Sequence, residues 1–212
     1  FNSEWSKNRF LTKLNEIYIK SPKLIVIKQS ADTQKVELNK KKKIITFVGK
    51  LNRAKGYDIF GSSIIEILND NKDWNAIVIG DEEREKLEFN HDRLNLLGFK
   101  NHDEVIKIFK KTSISVVCSR WEEPFGRTSL ESASCGCAVI ITNRGGLPET
   151  ITNGVILKNL SKKTLYDAIS NLIKNTKYRK EIQNLSLRNF NLTHQYASIE
   201  IDSYRNEILS SS

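Results

Sequence analysis

Methionine is absent from the 212 residues, and proline, histidine and cysteine occur only three times each. So little proline, with 39% hydrophobic residues, points away from a disordered or extended chain and towards an ordinary globular one. Cys118, Cys135 and Cys137 are too few for a disulfide framework. Neither their spacing nor that of His91, His102 and His194 matches zinc ligation, so no metal or other cofactor is expected. The thiols read as buried groups in a reducing compartment. No nucleophile or orienting carboxylate is recognisably spaced with a histidine, which removes the basis for a Ser-His-Asp reading and leaves each histidine as a surface group. No apolar run approaches the roughly 18 to 20 residues that span a bilayer. The chain opens on Phe1 without a basic, apolar and small-residue leader, and is expected to be a piece of a longer protein.

Acidic residues are the minority, 25 against 34 basic, for a net charge of +9. This permits an anionic partner, either a phosphorylated ligand or an acidic lipid surface. Heavy use of Lys, Asn and Ile offers a second explanation, a compositional excess spread over solvated helix faces. Nucleic acid is not the expected partner, because neither an aromatic-rich single-strand platform nor a helix-turn-helix pattern accompanies the charge.

Apolar residues at Phe10, Leu11, Leu14, Ile17 and Tyr18 predict an amphipathic helix over 3–18, capped by Ser3 and ended by Pro22. Leu24 to Ile27 predicts a short strand. Lys28 to Lys43, closing on four lysines, predicts a solvated linker. From Ile44 the pattern becomes regular. Ile44–Val48, Ala76–Ile79, Leu94–Leu97, Ile114–Val117 and Ala138–Ile141 are apolar without alternation, as in strands buried on both faces. Helix-period segments separate them: Ile59 to Leu68, Val105 to Phe109 and Thr128 to Cys135. A short strand over Val155–Leu157 and three helices, one capped by Ser161 and the others near 178–190 and 196–209, complete the chain. The fold class is therefore α/β, a Rossmann-like doubly wound parallel sheet whose ligands bind beyond the carboxyl ends of the strands.

The loops at those ends carry the informative residues. Trp121 to Gly136 reads WEEPFGRTSLESASCG. Pro124 and Gly126 break what precedes them and a helix follows, so unpaired N–H groups around Gly126 to Ser129 favour an anion, worth roughly 0.3 to 1 kcal/mol at such an end. Arg127 adds a donor able to grip a phosphate at two points. Glu123 and Glu131 would repel that phosphate unless the ligand also presents hydroxyls, as a sugar diphosphate does. On these residues alone, a solvated loop and an exposed helix glutamate serve as well. The first strand-to-helix loop, Gly49-Lys50-Leu51-Asn52-Arg53-Ala54-Lys55-Gly56, is neither G-x-G-x-x-G nor a P-loop, but sets three cations between two glycines. Gly145 and Gly146 suggest a tight loop near a ligand or a neighbouring helix, and a plain turn accounts for them equally well.

Gly49-Lys-Leu-x-x-x-Lys-Gly56, Gly80-Asp81, Leu-Gly-Phe around Gly98, Glu123-Pro-Phe-Gly with Glu131 eight residues on, and Gly145-Gly-x-Pro-Glu149 stand in the order and spacing of family 4 retaining glycosyltransferases. From Ile44 to its end the chain resembles the C-terminal, donor-binding half of such a two-domain GT-B enzyme. The resemblance implies residues 1–43 as the tail of an N-terminal domain and the linker, 44–192 as the nucleotide-sugar domain, and 193–212 as a helix returning towards the N-terminal domain. It implies that Lys50 and Lys55 hold the donor diphosphate, helped by Gly49 and by N–H groups near Arg127 and Thr128. Glu131 would take the ribose hydroxyls, Glu123 with the backbone of Phe125 and Gly126 would orient the sugar, and Phe99 would border the base. The family commonly has arginine at the position of Lys50, so Arg53 is a candidate substitute. The implied partners are a nucleotide-diphosphate sugar, a hydroxyl acceptor such as a lipid-linked glycan, and the missing N-terminal domain. The implied setting is cytoplasmic, with peripheral association at the inner face of the plasma membrane, and an isolated half would turn over little. The alternative is a non-catalytic nucleotide-binding module of the same fold.

Overall fold

The computed structural model describes residues 1–12 and 24–210. Six strands, β1 (Lys42–Val48), β2 (Asn75–Ile79), β3 (Leu94–Leu96), β4 (Thr112–Val117), β5 (Ala138–Thr142) and β6 (Val155–Leu157), form one sheet in the order β3-β2-β1-β4-β5-β6. Every neighbouring pair is parallel. The order reverses between β1 and β4, and a doubly wound sheet opens a crevice at that switch point.

Alternate residues of the strands bury against opposite layers. Ile45 and Phe47 of β1 pack with Tyr57, Phe60 and Ile64 of α2 (Tyr57–Asp70) and with Leu165 and Ile169 of α5 (Lys162–Lys174). On the other face Val139 and Ile141 of β5 pack with Val105 and Phe109 of α3 (His102–Lys111) and Ala133 of α4 (Arg127–Ser134). All three cysteines are buried, and burial pushes the Cys118 and Cys135 thiols up to about 12. The predicted cap at Ser161 is made, closing a capping box with Thr164, and the structure adds another, between Asn101 and Glu104. Helices α6 (Thr176–Arg188) and α7 (His194–Ser210) complete the described chain. Helix α7 buries no residue and leaves Ile199, Ile201, Ile208 and Leu209 exposed.

At the start of the chain, α1 (Glu4–Leu11) is capped by Ser3, whose Oγ accepts from the Ser6 N–H at 3.0 Å. The predicted continuation of this helix and its stop at Pro22 lie outside the described residues. Residues 24–27 form no strand: the Ile27 N–H donates to Phe1 O at 2.9 Å, and the segment joins no sheet. The short apolar run finds one chain end for a neighbour where a ladder needs a strand.

The lysine run is not a solvated loop. Lys42 and Lys43 open β1, and Lys41 turns inward, its Nζ donating to Phe109 O at 2.8 Å and Cys135 O at 2.6 Å. These carbonyls belong to the carboxyl ends of α3 and α4, where a cation meets the negative end of the dipole. Lys41 therefore fastens together the two helices that flank the switch point. Replacing Lys41 with Met, which keeps the stem and removes the donor, is expected to cost about 1 to 3 kcal/mol. The check is a lowered urea midpoint with an unchanged slope.

Candidate functional site

The loop after β1 and the loop after β4 are riveted together. Ala54 O accepts from the Arg120 N–H at 2.8 Å, the Trp121 N–H at 3.0 Å and Ser119 Oγ at 3.1 Å. Arg120 reaches further, donating through Nη1 and Nη2 to the two carboxylate oxygens of Asp58 at 2.6 and 2.9 Å. Burial pushes the Asp58 pKa up, but the hydrogen bonds and charge of Arg120 outweigh it, so Asp58 lies below the ordinary carboxylate range. The pair thus contributes stability above that range and loses it as pH falls through the depressed pKa. A third loop joins from β5, where the Gly146 N–H donates to Glu123 O at 2.7 Å.

These ties bring Lys55 onto Glu123. Their side chains form an ion pair that is 33% and 13% exposed, and both line a cavity of about 140 Å³ at the carboxyl ends of β1 and β4. Gly49, Gly126, Arg127 and Thr128 line it too. Helix α4 begins there at Gly126, which offers no side-chain cap. Its first helical bond runs from the Leu130 N–H to Gly126 O at 3.3 Å, and the N–H groups of Arg127, Thr128 and Ser129 have no acceptor among the described residues. A cation and a helix start thus share one space, which suits an anion.

The sequence-predicted residues do not all meet in that cavity. Lys50, exposed, lines a neighbouring depression of about 260 Å³ with Asp81, Phe99 and Lys100, and only Val48 and Gly49 border both. Phe99 is 76% exposed at its rim. Arg53 lines neither: its N–H donates to a Glu85 carboxylate oxygen at 3.1 Å and its guanidinium lies 3.9 Å from the same oxygen. Arg53 is thus turned towards Glu85 and away from both cavities. The Phe125 ring is buried beside Ala31, Leu130 and Leu192, leaving only its backbone to the loop.

Glu131 is buried, not an exposed helix residue. One of its oxygens, Oε1, takes Nε and Nη2 of Arg127 at 3.2 and 3.0 Å, with His102 Nδ1 at 3.7 Å. The guanidinium expected on a phosphate is thus turned onto a carboxylate one helical turn away. His102 is exposed, but it has the carboxylate neighbour that the sequence did not reveal, as does His194, whose Nε2 lies 3.3 Å from Asp32 Oδ1.

Ser119, in the loop after β4, and Leu147, in the turn after β5, also line the cavity, though no site role was expected of either. Glu149 supports it from behind, accepting the Glu4 and Trp5 N–H groups at 3.0 and 2.9 Å and so holding α1 against the loops. An acid at a helix start is a local rule, but α1 lies far away in sequence and the pairing could not be read.

The solved structure of Anabaena HepE in complex with UDP-glucose matches the whole of this chain, which covers 63% of it, at a TM-score of 0.74 and 19% identity. The C-terminal domain of a glycosyl transferase group 1 family protein from Francisella tularensis matches 68% of this chain and 82% of its own, at a TM-score of 0.61 and 28% identity. An uncharacterised glycosyltransferase of Methanocaldococcus jannaschii is 34% identical over 145 residues, 64% of this chain and 40% of the relative. The chain spans less than half the length of the curated relatives it matches. The family model for glycosyl transferases group 1 matches residues 28–186, a span holding the whole sheet and all three loops of the site, and the chain belongs to that family.

Proposed function

We propose that this chain is the donor-binding half of a retaining hexosyltransferase of family 4, which takes a nucleotide-diphosphate sugar at the crevice between β1 and β4. The observation that carries the proposal is the single cavity in which the Lys55 ammonium, the unpaired N–H groups opening α4 and the Glu123 carboxylate face one another. A diphosphate answers the first two and sugar hydroxyls answer the third. HepE, of the same fold, holds UDP-glucose. The apolar depression beside Phe99 supplies room for a base, and Glu131, with Oε2 unpartnered among the described residues, supplies an acceptor for ribose hydroxyls.

The chemistry follows from charge. As the bond from anomeric carbon to phosphate oxygen breaks, its electron pair stays with the diphosphate, and Lys55 and the α4 amides stabilise the charge that accumulates there. The acceptor hydroxyl approaches on the face the diphosphate leaves, its oxygen bonds to the anomeric carbon, and its proton passes to the departing phosphate. Configuration is retained. Glu123 holds the sugar and is not assigned the part of a glycosidase acid or nucleophile. The acceptor, a hydroxyl of a surface glycan or glycolipid precursor, and the groups that bind it belong to a facing domain, with the reaction on the cytoplasmic side of the membrane.

Calorimetry with UDP-, GDP- and ADP-sugars tests the reading. One of the donors is expected to bind, and Glu131→Ala to weaken it by about tenfold or more, the effect of losing hydrogen bonds to a charged acceptor. Absence of binding by every donor, or an affinity indifferent to Glu131, would count against it.

A further inference from the structure

Arg127 stands at the first position of α4, where a guanidinium has two destinations: forward over the unpaired N–H groups, or back along the helix. The structure shows the second. Both Nε and Nη2 point at Oε1 of Glu131, one helical turn on, and His102 Nδ1 faces the same oxygen from the first turn of α3. The Glu131 side chain is only 10% exposed, whereas that of Arg127 is 61% exposed. Oε2 has no hydrogen-bond partner among the described residues. A carboxylate so buried is costly to leave half-satisfied. Here Arg127 occupies one oxygen and the other is left available to accept, in a small cleft of about 20 Å³ that adjoins the diphosphate cavity through Arg127, which lines both.

We infer that Arg127 is a positioning residue for ribose recognition and not a ligand of the diphosphate: by occupying Oε1 it fixes the rotamer of Glu131 and presents Oε2 to the vicinal hydroxyls of the donor. The inference rests on the proposed donor site. It assigns this chain's own arginine a role at the sugar of the nucleoside, although the residue also borders the diphosphate cavity. His102 Nδ1 lies near the same oxygen at 3.7 Å, beyond hydrogen-bond range.

The two roles leave different traces. A phosphate ligand contributes equally to a ribonucleotide and its deoxy analogue, and its loss weakens the salt dependence of binding. A positioning residue acts only where the hydroxyls are present. The experiment measures Kd for UDP, GDP and ADP and for their 2′,3′-dideoxy counterparts with this chain, with Arg127→Ala and Arg127→Lys, and with each combined with Glu131→Ala. The exposed arginine makes misfolding a small risk, and melting curves check it. The wild type is expected to prefer the ribonucleotide by about tenfold, falling to about threefold or less in Arg127→Ala, since removing the oriented acceptor removes its discrimination. Arg127→Lys, which cannot repeat the two-nitrogen contact, is expected to fall between. In the Glu131→Ala background both Arg127 substitutions should add nothing, the mark of residues acting as one unit. Equal loss for ribose and dideoxyribose nucleotides, or additivity with Glu131→Ala, would overturn the inference while leaving the donor site intact. Failure of the wild type to bind any of the three nucleotides would overturn both.

Discussion

Replacing Lys55 with alanine is expected to slow release of nucleoside diphosphate from the donor by about 10²- to 10³-fold, the magnitude lost when one pre-aimed donor to a developing charge is removed. Ground-state binding should weaken far less, because the α4 amides still meet the diphosphate while only the charge that grows during bond breaking loses its cation. The split between kcat and KM is therefore the measurement. A fall in kcat with KM nearly unchanged supports a leaving-group role, a rise in KM alone would make Lys55 a simple binding group, and a rate within threefold of wild type would remove it from the mechanism. Arginine at position 55 should restore part of the rate, since charge matters more here than the shape of the fork.

The ion pair between Lys55 and Glu123 gives this site a particular economy. Before a donor enters, each neutralises the other in a partly buried place where a lone charge would be costly. On the proposed reading, a donor carrying both diphosphate and sugar would satisfy the two at once, the phosphate taking the ammonium and the hydroxyls taking the carboxylate. A nucleoside diphosphate without its sugar takes only Lys55 and leaves Glu123 beside a new negative charge. On that reading the same pair would favour entry of the intact donor and exit of the spent one. Lys50 lies in the adjoining depression, exposed.

Much of the sheet was legible because its strands are buried on both faces and show as unbroken apolar runs, as in Ala138 to Ile141. The same criterion misled at Leu24 to Ile27, where an equally apolar run pairs with Phe1 and joins no sheet among the described residues. Periodicity reports what a segment is suited to and says nothing of whether a neighbour is there. The lysine run failed for a related reason: charge counts read as solvation, while the carbonyl ends of α3 and α4 that draw Lys41 inward lie 68 and 94 residues away. In the site, the meeting of Lys55 with Glu123 followed from loop positions at the carboxyl ends of adjacent strands, a topological rule. The turn of Arg127 onto Glu131 did carry a signal, the i,i+4 spacing of opposite charges on a helix, which competes with the helix start beside it. The rivet between Arg120 and Asp58 had none, because no local rule joins residues 62 apart.

The loop after β5 tests whether Glu123 works by position. Gly145 has φ +58°, and a Cβ there would lie 2.1 Å from Glu123 O and 2.6 Å from Glu123 N, backbone atoms that no rotamer change can move aside. Gly145→Ala must therefore push the two loops apart and break the Gly146 N–H to Glu123 O bond. Gly98 provides the comparison: its φ is +65° and nothing lies within 4 Å of its would-be Cβ. Gly98→Ala should lose only the backbone preference, about 1 to 2 kcal/mol. Gly145→Ala should lose that and about 1 to 3 kcal/mol more from overpacking, and it should also act on function. With Glu123 displaced, affinity for the nucleotide sugar should fall towards that for the nucleoside diphosphate alone, whereas Gly98→Ala should keep the difference between them. If both substitutions reduce stability alike and neither changes that difference, the close approach of the two loops does not set the place of Glu123, and the sugar is held from elsewhere.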